Sequence, residues 1–116
     1  MEREYTLVRR TEADESISAL LADGERVMET FALVRDHAYF TDRRIIISDV
    51  QGVVGKKKEF LSIPYRSIQY FSVESAGLAD ITAEMDIYLR DLKIKFNLRR
   101  DVNVNELSKI IAEAVL

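Results

Sequence analysis

The residue types that could carry chemistry are few and poorly grouped. His37 is the only histidine, and it directly follows Asp36. A histidine beside a carboxylate is half of a nucleophilic triad, and a lone imidazole is also a common metal ligand. A triad needs a serine presented on a nucleophile motif, and none surrounds Ser48, Ser62 or Ser67. A metal site would have to gather carboxylates around that one imidazole, because the chain has no cysteine and no second histidine. The residues therefore predict no catalytic group, no metal, no cofactor and no enzymatic activity, with His37 a polar, exposed turn residue.

The segment Gln51-Gly52-Val53-Val54-Gly55-Lys56-Lys57 has the glycines and lysines of a phosphate loop. It lacks the spacing G-x-x-x-x-G-K-[ST] and opens no helix, so it reads as a strand connection. The lysines that follow, Lys56-Lys57-Lys58, are the one candidate contact for an anion or a lipid headgroup. Near an acidic membrane surface each would contribute about 1 kcal/mol. The plainer expectation is a solvated strand start whose charge discourages edge pairing.

Composition narrows the partners. The formal net charge of the 116 residues is -3, which argues against a general nucleic-acid binder. The absence of cysteine fits a reducing compartment. Met1-Glu2-Arg3-Glu4 leads into no apolar h-region, and no apolar run approaches the ~18 residues of a membrane span. Cytoplasmic localisation is the expectation.

The elements that must position these residues follow from periodicity. Residues 2–10 mix charges with Tyr5, Leu7 and Val8 and read either as a short helix or as a loose arm. Thr11-Glu12-Ala13-Asp14 resembles a capping box, Ala13, Ile17, Leu20 and Leu21 share one helical face, and Gly24 stands where a left-handed cap is wanted. This predicts a short amphipathic helix over 12–22. The period then becomes two, predicting strands over 26–35, 38–41, 44–48, 57–63, 68–74, 83–89 and 92–98. Pro64 ends the fourth of these, and Tyr65 is expected to pack across the corner with its hydroxyl at the surface. Loops fall at 50–55 and 75–80. Arg90-Asp91 implies a hairpin in which Asp86 faces Lys95.

Asp101 or Asn103 caps a final helix whose apolar face is Val104, Leu107, Ile110, Ile111, Ala114 and Val115. The fold class is mainly β: seven antiparallel strands in two bent sheets, capped by a C-terminal α-helix and preceded by a short N-terminal helix. Residues 1–23 form an N-terminal segment and 24–116 the main domain, together one structural unit.

A family likeness rests on several strings taken together. They are Leu-Ala-Asp-Gly-Glu (21–25), Leu-Val-Arg-Asp (33–36), Phe-Thr-Asp-Arg-Arg-Ile-Ile (40–46) and Gln-Gly-Val-Val-Gly-Lys-Lys (51–57). Leu-Ser-Ile-Pro-Tyr-Arg-Ser-Ile (61–68) and Phe-Ser-Val-Glu-Ser-Ala-Gly (71–77) continue them. Over residues 12–116 the chain resembles a bacterial pleckstrin-homology (PH) domain. The resemblance implies a PH-like barrel, no established enzymatic activity and a tendency toward ring-like homo-oligomers. The short hairpin at 89–92 departs from related sequences, which often carry a longer loop there.

The fold's lipid-headgroup site usually gathers lysines and arginines from the first two strands and their loop. Here that loop offers Arg35-Asp36-His37, a poor phosphate cradle. The expected function is thus a non-catalytic binding or assembly module, self-associating into a ring and meeting an unidentified protein partner. The alternative is contact with an anionic membrane surface through Lys56, Lys57 and Lys58. The N-terminal helix is expected to dock either on its own sheet or on a neighbouring subunit, and the resemblance favours a part in assembly.

Overall fold

The computed structural model describes residues 1–51, 57–74 and 83–116. Among them the strands are β1 (Glu2–Leu7), β2 (Arg9–Thr11), β3 (Val27–Ala32), β4 (His37–Thr41), β5 (Arg44–Gln51), β6 (Lys57–Pro64), β7 (Tyr70–Glu74), β8 (Ala83–Tyr88) and β9 (Lys93–Leu98). A 3-10 turn at Glu15–Leu20 precedes β3, another at Tyr65–Ser67 joins β6 to β7, and a helix α1 (Val104–Val115) ends the chain. The strands form two sheets, ordered β1-β9-β8-β7 and β2-β3-β4-β5-β6. The mainly β, two-sheet architecture with its C-terminal helix is as expected, but the described strands number nine and not seven.

The two additional strands come from residues 2–11. β1 lies parallel to β9, with Leu7 opposite Leu98, and β2 lies antiparallel to β3. β1–β9 is thus a parallel exception to the expected antiparallel pairing. The segment is neither a helix nor a loose arm, because Leu7 is wholly buried and its carbonyl accepts from Arg99 N at 3.0 Å. One short chain segment so contributes an edge strand to each sheet.

Alternation builds the core. Ala83, Met85 and Ile87 on β8, with Ile94, Phe96 and Leu98 on β9, point inward, and the polar residues between them stay half-buried. Ile45, Ile47 and Phe40 face them from the other sheet, and the Phe40 and Phe96 rings meet at 5.9 Å. Each such side chain contributes about 1.5–3 kcal/mol by leaving water. Asp86 does stand opposite Lys95, yet the ion pairs run diagonally, Lys93 to Asp86 at 3.7 Å and Lys95 to Glu84 at 3.5 Å. The β8–β9 hairpin closes through Leu89 N donating to Leu92 O at 2.8 Å. Helix α1 is capped by Asn103, whose side chain accepts from Asn105 N and Glu106 N. It buries Leu107 and Ile111 against the core.

The segment expected as a helix over 12–22 is shorter and tighter. Asp14, not Thr11, caps it, because Thr11 is already in β2. Ser16 and Ser18 are weak helix formers, and Ser18 Oγ donates back to Glu15 O at 2.7 Å. Ile17 is buried against Tyr39 and Ile46 on the outer face of the five-stranded sheet, with Leu21 and Val27 packed around them. The turn therefore docks on its own sheet. Gly24 takes φ +79°, a left-handed conformation that favours glycine, and so returns the chain into β3.

Candidate interaction surfaces

Three of the strings that carry the family likeness converge on Thr41, which is wholly buried at the end of β4. Its hydroxyl donates to Glu25 Oε2 at 2.7 Å and accepts from Arg43 N and Arg44 N at 3.0 and 2.9 Å. Arg44 grips Glu25 with both edges of its guanidinium, Nε to Oε2 and Nη2 to Oε1, each at 2.9 Å. The same guanidinium donates to Leu20 O and to Ser62 Oγ, and Ala22 N donates to Glu25 Oε1. These bonds, Arg44's first among them, hold the Glu25 carboxyl down at about 2. From the third string, Tyr65 donates its hydroxyl to Thr41 O at 2.7 Å. The expectation of a surface hydroxyl is corrected: Tyr65 is 2% exposed, and burial pushes its phenol pKa up. With every carboxylate and hydroxyl oxygen occupied by the protein, this constellation staples the N-terminal turn to the β4–β5 hairpin.

A second polar cluster lies where chemistry was sought. Asp36 is 8% exposed, and its Oδ1 accepts from Ser48 Oγ at 2.6 Å and lies 3.2 Å from His37 Nδ1. Lys58 Nζ stands 3.3 Å from Oδ2, which accepts no hydrogen bond. Serine, histidine and aspartate are thus brought together, but not in triad order. The serine hydroxyl donates to the carboxylate instead of the imidazole, and Ser48 is wholly buried. His37 is half-buried at the start of β4, beside the Tyr39 ring, and so is less exposed than the sequence implied. Among the described residues, no group of three or more His, Asp or Glu could hold a metal.

The lysine run divides. Lys56 lies outside the described residues. Lys57 is exposed at the start of β6. Lys58 is tied to Asp36 and lies 5.7 Å from the Phe60 ring centre. A solvated strand start describes Lys57 but only part of Lys58. The 33–36 loop borders a cleft of about 300 Å³ that also contains Glu4, Tyr5 and Asp49. Beside it Arg3 bridges to Glu59 at 2.6 Å. Carboxylates match or outnumber guanidinium groups along this cleft, which is poor chemistry for a phosphate ligand.

Apolar surface collects at other places. Phe60 on β6 is 38% exposed, while Tyr70 and Val73 on β7 are 60% and 37% exposed. The Tyr70 ring stacks on Tyr88 at 4.3 Å. β6 and β7 are terminal strands of different sheets, and each leaves one backbone flank unpaired among the described residues. A shallower groove between α1 and β3 is floored by Met28 and Ile110. The free edges could not be read from the sequence, because which strand is terminal depends on pairings across the whole chain.

Comparison with known proteins places this geometry. The family described as the bacterial PH domain matches residues 3–115. An uncharacterised protein of Bacillus subtilis, YjqA, is 41% identical over 101 residues, covering 84% of this chain and 81% of its own. A DUF1696 family protein with a pleckstrin-homology domain from Shewanella loihica is similar in structure, with a TM-score of 0.84 and 31% identity. That match covers 93% of this chain and 97% of the other. A pleckstrin homology domain from Shewanella amazonensis has a TM-score of 0.69 and 34% identity, covering 91% and 94%. Among the described residues, no helix is long and apolar enough to cross a membrane.

Proposed function

The chain belongs to the bacterial PH domain family, and on that premise we propose that it is a non-catalytic, cytoplasmic binding module that self-associates into a ring-like homo-oligomer and presents that ring to a protein partner. The observation that carries this reading is the pair of unlike free sheet edges, β6 and β7, each bearing exposed apolar side chains. Unpaired edges are templates for strand addition, and monomeric proteins usually shield them. Two unlike edges on one molecule support a head-to-tail contact, which closes into a ring or runs on as a filament. The polar clusters support a non-catalytic role, because their groups are spent on each other. Light scattering at micromolar concentration should give a multiple of the 13.4 kDa chain mass; the mass of one chain would end the proposal.

A second reading keeps some support from Lys57, which is exposed and makes no ion pair among the described residues. In it the lysines meet an anionic membrane surface. Co-sedimentation with phosphatidylserine vesicles, set against a variant with alanine at positions 56, 57 and 58, tests it. Binding that is absent, or that survives the alanines, removes this alternative.

A further inference from the structure

Resting on the self-association reading, we infer that neighbouring copies join by strand addition, the free edge of β6 in one pairing antiparallel with the free edge of β7 in the next. Charge sets the orientation. The basic end of β6 is its start, at Lys57 and Lys58, and the acidic end of β7 is its finish, at Glu74. An antiparallel pair brings those ends together.

Side-chain alternation sets the register. With Glu74 opposite Lys58, Ser72 falls opposite Phe60 and Tyr70 opposite Ser62, so that Phe60 has Tyr70 as its diagonal neighbour. On the other face Phe71 falls opposite Leu61, and both already pack against their own core. Opposite-charge and apolar pairs each favour a register by about 0.2–1 kcal/mol. A shift by one residue would set Glu59 opposite Ser72 and turn every pair to the wrong face.

Other edges serve less well. β2 is three residues long. β1 has Arg3 committed to Glu59 across the gap between the sheets. Pairing β6 or β7 with itself about its centre puts no lysine opposite a carboxylate.

The absence of native cysteine makes the register directly readable. Residues directly opposite in an antiparallel pair have Cβ atoms about 4.5–5.5 Å apart, close to disulfide reach. Ser72→Cys and Phe60→Cys chains are prepared separately, mixed, oxidised and run without reductant. The expected result is a covalent dimer from the mixture, none from either chain alone, and a ladder from a chain carrying both substitutions. Met28→Cys, exposed on β3, replaces Ser72→Cys as the control and should give no dimer with Phe60→Cys. If the native mass exceeds one chain but the mixture gives no disulfide, self-association uses another face and this inference fails. Dimers from Ser72→Cys alone would mean two-fold pairing of β7, which also overturns it. A native mass of one chain removes the self-association reading itself, and this contact with it.

Discussion

At the scale of single residues, the polar groups that looked reactive are structural, and their energetics follow from what they touch. Glu25 has both oxygens occupied and a carboxyl pKa of about 2, against an ordinary 4.5. Its contribution is therefore complete above about pH 4.5 and disappears as pH falls toward 2. That difference corresponds to about 3 kcal/mol. Denaturant titration of Glu25→Gln should show a loss of about 2–4 kcal/mol at pH 7 and a flatter stability profile between pH 5 and 2 than the native chain. An equally steep acid profile in the variant would show that other carboxylates dominate. Tyr65→Phe removes one buried donor to Thr41 O and should lower stability by about 1 kcal/mol in the same measurement. Ser48→Ala withdraws a donor from the buried Asp36 carboxylate, and its cost should be larger, about 1.5–3 kcal/mol.

At the scale of elements, the N-terminal turn is held by one small cluster and one left-handed glycine. Ile17→Ala empties the site between Tyr39 and Ile46 and should cost about 2–4 kcal/mol, read by thermal or denaturant unfolding. Gly24→Ala should cost about 1 kcal/mol because its φ of +79° strains any side chain. What was legible in the sequence is what repeats locally. Residues 83–98 alternate, so the hairpin and its Asp86–Lys95 register follow from the residues alone. Pro64 marks the end of β6 and Asn103 the start of α1 for equally local reasons.

Long-range features were hidden. β1 has a mixed, charged pattern, and its partner β9 lies near the other end of the chain, so nothing near residues 2–7 announces a strand. Once β2 claims Thr11, the cap moves to Asp14 and the expected helix shortens. The same holds for the polar clusters. Glu25 and Arg44 are 19 residues apart, and Asp36 meets Ser48 and Lys58 only because two hairpins stack side by side. Burial of Asp36 removed the acidic turn that the sequence set against phosphate binding, yet Glu4 and Asp49 in the adjoining cleft supply the same unfavourable charge.

At the scale of the whole molecule, a two-sheet barrel plugged by α1 has no need of a ligand to complete its core. What it leaves incomplete is backbone pairing at the outer flanks of β6 and β7. A fold shared with lipid-binding domains does not itself confer lipid binding. Self-association through unlike edges explains the exposed Phe60 and Tyr70, and it assigns the fold's surplus hydrogen-bonding capacity to copies of the same chain. A closed ring also differs from open polymerisation in having a fixed number of copies. Native mass spectrometry over a range of protein concentrations measures that number directly. The account predicts one dominant species, an integral multiple of 13.4 kDa above two copies, whose stoichiometry does not change with concentration. A single species at 13.4 kDa throughout would contradict it.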